Sequence, residues 1–245
     1  MNERATYALR LGDDALVLSQ RLSWWSSRAP ELEEDLALTN IALDLLGQAR
    51  ALLSHAALLE DAGRDEDDLA YLRSEREYLN LLLVEQPNGD FGQTIARQLL
   101  FSTFQLARYE ALLDYDDELV AGVAGKAVKE VAYHVDHAAK WALRLGDGTD
   151  ESHARMQAGL DRMWPWTHEL FEGDDVDRAA GVDPATLRDG WHAFVAGTCE
   201  QATLVVPQDG SWRPRGGRRG EHTEQLGYLL AELQSLHRAH PGATW

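Results

Sequence analysis

The sequence predicts an all-α protein: a four-helix bundle whose long helices are joined by short turns, with additional helices toward the C-terminus. Three observations carry this. Apolar residues recur at about 3.6-residue spacing through most of the chain. Clusters of turn residues separate the periodic stretches. Strand-type alternation is absent, since TLVVP (203–207) is too short to imply a sheet.

The first stripe is Ala8, Leu11, Ala15, Leu18, Leu22 and Trp25. The second, after SSRAP, is Leu38, Ile41, Ala42, Leu45, Ala49, Leu52, Leu53 and Ala56. Pro30 suits a first helical turn there, and Glu31, Glu33, Glu34 and Asp35 favour the positive end of the dipole. A shorter helix is expected from Glu66 to Leu83. VEQPNGDFGQ breaks the pattern at Pro87, Asn88 and Gly89. Ile95, Leu99, Ser102, Leu106, Tyr109 and Leu113 then form a stripe, and DYDDE separates it from Val120, Ala124, Ala127, Val131, His134, Ala138 and Leu145. Gly146 and Gly148 signal a stop. Further helices are expected at about 150–172, 184–198 and 221–238, the second opened by Asp183 as N-cap and Pro184 in the first turn. With no repeat or boundary evident, a single domain over 1–245 is expected.

Composition narrows the function classes. The 245 residues are 44% hydrophobic, enough for a sizeable core. A formal net charge of −18 repels nucleic-acid phosphates and anionic lipid, so neither nucleic acid nor membrane is expected as a partner. Cys199 is the one cysteine, which excludes an intrachain disulfide or a multi-cysteine metal site. MNERATYALRLGDD lacks a basic region followed by an apolar one, and no continuous apolar run approaches about 18 residues. A cytoplasmic protein is the expectation.

The stretch EVAYHVDH (130–137) raises the question of a metal. Glu130, His134 and His137 share one helix edge at spacings of four and three. A di-iron bundle takes a Glu from each of two helices and Glu-x-x-His from each of the other two. Here Leu45 lies on the core stripe and Gln48 follows three residues later. Val131 lies on its stripe and His134 follows. Ala15 sits at the centre of the first stripe, while Asp44 and Glu130 fall one residue off the inward positions. Asp44, Gln48, Glu130 and His134 thus form a polar seam that either was never a metal site or is the remnant of one, His137 being expected to face outward or lie at an edge.

The run RLGDDALVLSQRLSWWSSRAPELEEDLALTNIALDLLGQARALLSHA resembles phenylacetyl-CoA 1,2-epoxidase subunits of bacterial phenylacetate breakdown. So do NLLLVEQPNGDFGQTIARQ, KAVKEVAYH and GRRGEHTEQLGYLLAELQSLHRAHPGATW. The resemblance spans nearly the whole chain and is strongest to the non-catalytic partner in the core oxygenase heterodimer. It implies a ferritin-like bundle beside a catalytic sibling whose two irons activate O2. It also implies that Ala15, Leu45 and Val131 stand where the sibling has Glu ligands, Gln48 where it has a His, and His134 where the His is kept. The third-helix acid cannot be placed, Gln98, Ser102 and Gln105 being the candidates. No metal is therefore expected in this chain, the di-iron centre belonging to the partner subunit. The implied role is structural, in a hetero-oligomer that includes the iron-bearing subunit and can extend to a reductase and small accessory subunits. The alternative is an independent ferritin-like metal-dependent oxidase with an irregular site.

Two further features stand out. Arg213, Arg215, Arg218 and Arg219 in RPRGGRRG concentrate positive charge in an acidic chain. They suit a grip on a sibling subunit, contact with coenzyme A phosphates, or a solvated connector, and they do not match a Walker phosphate loop. Eight tryptophans, among them Trp24–Trp25 and WPW (164–166), read first as core and second as interface anchors. No nucleophile elbow or cysteine–base pairing is visible.

Overall fold

The computed structural model describes residues 2–243, and Trp245, the last residue of the stretches quoted above, lies outside them. In chain order the α-helices are α1 (Glu3–Ser23), α2 (Leu32–Glu60), α3 (Glu66–Tyr71), α4 (Leu82–Glu85), α5 (Phe91–Ala111), α6 (Glu118–Gly146), α7 (Asp150–Met163), α8 (Asp175–Ala179), α9 (Arg188–Gln201), α10 (Glu224–Leu233) and α11 (Ser235–Ala239). No strand occurs among the described residues. The four long helices are α1, α2, α5 and α6. The chain, read from sequence as one domain, divides into two compact units: Met1–Pro87 with Gly216–Trp245, and Asn88–Arg215.

In the first unit α1 and α2 form a hairpin packed along its length. Asn2 caps α1 by accepting the Ala5 N–H at 2.8 Å. The expected stripe of α1 is buried throughout, as are Leu9, Leu16 and Val17 off it. The α2 stripe from Leu38 to Ala56 is buried too, while Leu32, Leu36, Leu43 and Leu46 are exposed. Pro30 does not reach the first turn. It precedes the N-cap Glu31, although Glu33, Glu34 and Asp35 occupy that turn as the dipole argument requires. An 18-residue stretch of α2 is long and apolar enough by composition for a membrane span, and half of it is buried against the protein.

The helix expected from Glu66 to Leu83 is broken. α3 ends at Tyr71, a 3-10 turn covers Glu75–Glu77, and Tyr78 and Leu81 are extended before the single turn of α4. The cause is tertiary. Carboxylates on α1 take the backbone donors of this stretch, Asp13 from Leu79 N–H and Asp14 from Leu81 N–H, both at 2.8 Å. A peptide N–H committed to a distant carboxylate is lost to the helical ladder.

In the second unit α5 and α6 pair, capped by Asp90 and Asp117. α7 crosses α5 where Gly92 and Gly159 face each other. A Cβ on Gly159 would lie 2.8 Å from the Gln93 Cα, and one on Gly92 would lie 3.2 Å from the Arg155 backbone. Two glycines thus allow backbone-to-backbone approach. The predicted 150–172 helix stops as an α-helix at Met163 and continues to Phe171 as 3-10, because Pro165 has no N–H to offer an α-helical ladder. α8, opened by a capping box at Asp174, has no expected counterpart. Asp183 and Pro184 open a 3-10 turn that leads into α9. The expected 221–238 helix starts later, at Glu224 behind its Thr223 cap, and is interrupted before α11.

Candidate functional site

Ala15 on α1 and Leu45 on α2 are both fully buried, Gln48 is buried and Asp44 is half-buried. The nearby Ser19 hydroxyl donates to the Ala42 carbonyl at 2.7 Å, tying the two helices together. In the second unit Val131 and His134 of α6 are buried. Glu130 is half-buried and turns to Lys126 at 2.9 Å, one helical turn away. His137, expected to face outward or lie at an edge, is instead buried, because the core face of α6 is wide enough to take Val131, His134, Val135, His137 and Ala138 together. On α5, Gln98, Ser102 and Gln105 are all buried and none is an acid. Ser102 donates to the Gln98 carbonyl, so its hydroxyl is satisfied within its own helix. The Gln98 Oε1 has no hydrogen-bond partner among the described residues.

The donor set does not fit a di-iron centre. Such a centre needs bridging carboxylates to offset its charge. The three positions where the resemblance implies glutamates carry methyl, isobutyl and isopropyl groups. Among the described residues no group of three or more His, Cys, Asp or Glu is arranged to hold a metal ion.

The strongest electrostatic feature lies elsewhere, in the first unit, and sequence reading missed it. Asp13 and Asp14, both with 0% exposure, anchor two arginines from distant chain segments. Arg73 pairs with Asp13 through both Nη atoms and stacks its guanidinium over the Tyr78 ring at 4.1 Å. Arg218 forks onto Asp14 at 2.8 and 3.2 Å and also donates to the Leu79 carbonyl at 2.7 Å. Glu85 accepts from Asn80, from His222 at 2.7 Å, and from both the backbone and hydroxyl of Thr223. These bonds fasten residues 73–85 and 216–223 to α1. Gly220 makes the fit feasible, with φ +74 and no Cβ to meet the Arg76 carbonyl. The signal in the sequence was a pair of adjacent acids inside an apolar stripe.

His222 places both ring nitrogens against acceptors, Nδ1 on Glu85 and Nε2 on the Tyr78 carbonyl at 2.8 Å. Only the doubly protonated ring can donate to both. Burial is the largest single influence and lowers its pKa, but the hydrogen bond and charge of Glu85, the Tyr78 carbonyl and the charge of Asp13 together outweigh it and raise the pKa above the ordinary 6.5. A folded-state pKa above the unfolded value gives stability that is complete below pH about 6.5 and lost as pH rises through the folded value. Urea unfolding between pH 6 and 9 should show this loss. In His222→Gln the decline over that range should shrink, and an undiminished decline would rule His222 out as its source.

The four arginines of 213–219 do not act together. Arg218 is committed to the internal pair just described. Arg219 is mostly exposed and 3.5 Å from Glu221. In the second unit, Arg213 lies 3.9 Å from Asp209 and Arg215 lies 3.4 Å from Glu172, both with exposed side chains. The tryptophans divide likewise. Trp25, Trp164 and Trp191 are buried, whereas Trp24 and Trp212 are exposed.

An all-helical chain, with its long helices paired α1 with α2 and α5 with α6 and short helices between and after the pairs, defines the class of protein. The family described as phenylacetic acid catabolic protein matches residues 1–245, and this chain belongs to it. The family is all-α and ferritin-like, as the resemblance implied. The chain is 50% identical over 250 residues to the C component of the 1,2-phenylacetyl-CoA epoxidase of Escherichia coli (strain K12), the match covering 100% of both proteins.

Proposed function

We propose that this chain is the non-catalytic structural subunit of a cytoplasmic, multicomponent di-iron monooxygenase that epoxidises phenylacetyl-CoA. In this reading it binds and stabilises the iron-bearing catalytic subunit, holds no metal itself, and can present a surface to a reductase and small accessory subunits. One observation carries the reading: Ala15, Leu45 and Val131, at positions the resemblance equates with ligands, are fully buried hydrocarbon. Two ferrous ions bring about four positive charges, and burying charge without carboxylates to offset it costs several kcal/mol per ion. The full-length relative named as an epoxidase subunit supports the assignment to such a complex. The exposed Leu36, Leu43 and Leu46 on α2 offer apolar area to a partner chain.

The test is co-expression with the iron-bearing subunit, affinity capture through this chain, and metal counting on each separated polypeptide. Capture of the partner with iron confined to it is expected. His134→Ala should destabilise this chain by about 1–3 kcal/mol, the usual range for a disrupted buried polar group. Iron per catalytic subunit should not change. Stoichiometric iron in this chain purified alone, lost on His134→Ala, would overturn the proposal in favour of an independent ferritin-like oxidase.

A further inference from the structure

The second unit contains a cavity of about 310 Å³ that the seam between its long helices does not involve. Its walls are aromatic: Trp164, Phe171 and Trp191. The rings brace one another, Trp164 with Trp191 at 5.5 Å between centroids and Phe171 with Trp191 at 5.1 Å. Trp191 is further locked by its indole N–H, which donates to the Leu100 carbonyl at 2.8 Å. These contacts fix the three rings against one another and against α5.

The rim is polar and carries excess positive charge. Asp209 accepts the Trp164 indole N–H at 2.9 Å and is the sole carboxylate of the lining among the described residues. Two guanidiniums face it, Arg188 at 3.4 Å and Arg213 at 3.9 Å, each more than half exposed. The nearby Glu172 is matched by Arg215. One positive charge is therefore left over. His168 has a side chain only 9% exposed, and it lines the cavity with an Nε2 that has no hydrogen-bond partner among the described residues. Asp209 lies 3.6 Å from that nitrogen, beyond hydrogen-bond range. Burial first, with Arg213 and Arg188 opposing Asp209, lowers the His168 pKa, so the ring is neutral near pH 7.

A preformed apolar pocket with a few convergent polar groups is what small-ligand sites look like, and a cavity of about 150 Å³ already accepts benzene. We propose that this cavity is a binding site for a small planar aromatic anion, its ring held by Trp164, Phe171 and Trp191 and its carboxylate by Arg188 and His168. Aromatic faces supply the apolar contact, a guanidinium fork matches a carboxylate, and the unpartnered His168 nitrogen gains a partner. The proposal is independent of the epoxidase reading, because it uses none of the residues on which that reading rests.

Titration calorimetry and quenching of tryptophan fluorescence on the full chain test it, with three probes of one ring system: 2-naphthoate, 2-naphthylmethanol and 2-naphthylmethylammonium. Saturable 1:1 binding of 2-naphthoate is expected, at least tenfold tighter than the alcohol and with the cation weakest. Arg188→Gln, at a guanidinium about half exposed, should weaken 2-naphthoate at least tenfold and leave the alcohol nearly unchanged. His168→Gln, which leaves the guanidinium in place, should also weaken the anion. Absence of saturable binding, equal affinity for the three probes, or indifference to both substitutions would overturn the proposal.

Discussion

Arg73→Ala is expected to lower the unfolding free energy by about 3–5 kcal/mol, the range for removing one partner of a buried ion pair. It should appear as a fall in the urea midpoint at nearly constant slope. The size follows from what is left behind. Asp13 has no exposed side-chain surface and Arg73 only 2%, so water cannot take over from the lost guanidinium. Besides the ion pair, Arg73 donates to the Leu69 and Glu77 carbonyls and covers the Tyr78 ring. Arg73→Met/Asp13→Asn removes both charges while keeping an oxygen to accept the Leu79 N–H. It should recover part of the loss, because the desolvation penalty goes with the charges. If the single variant lost less than about 1 kcal/mol, a typical figure for an exposed pair, the network would be hydrated rather than dry.

This network also marks where sequence reading stopped. The long helices were legible because each buries one stripe, and a period of 3.6 needs only local information. Asp13 and Asp14 were not, because their partners lie 60 and 204 residues away, in Arg73 and Arg218. Locally, two adjacent acids look like a solvated turn of helix. The same blindness produced the continuous helix expected from Glu66 to Leu83. Nothing between Arg73 and Leu81 breaks a helix by composition, and the break comes from carboxylates on another element. His137 illustrates the opposite difficulty. It was expected to face outward or lie at the edge of the α6 stripe and is buried, because burial at such a position depends on how wide a face the neighbouring helices cover.

The candidate seam was more legible than the pocket. Leu45 on α2 and Val131 on α6 each sit in register with the core of their own unit, so the burial of each followed from periodicity alone. The aromatic cavity draws on α9, the 3-10 segment Trp164–Phe171 and the loop carrying Asp209. WPW therefore read as core, which is true of Trp164. That one face of it lines open volume is a tertiary fact with no signature in spacing.

Val131→Glu should be the severest substitution on the seam, and its pH dependence should report why. Val131 has no exposed surface, so a carboxyl there resists ionising, and burial can raise such a pKa by about 3–5 units from about 4.3. Keeping the group protonated at pH 7 then costs about 3.5 kcal/mol relative to the unfolded chain. The sign is fixed by the raised pKa: the cost is absent below pH about 4.3 and grows with pH until the folded-state value is passed. Val131→Gln has nearly the same shape and cannot ionise, so the gap between the Glu and Gln variants isolates the charge from overpacking. Ferrous iron should not close it, because Gln98, Ser102 and Gln105 on α5 offer no carboxylate to share the load. Equal stability of the Glu and Gln variants at pH 7 would mean a wet seam, and rescue of Val131→Glu by iron would mean that one carboxylate suffices to bring a metal in.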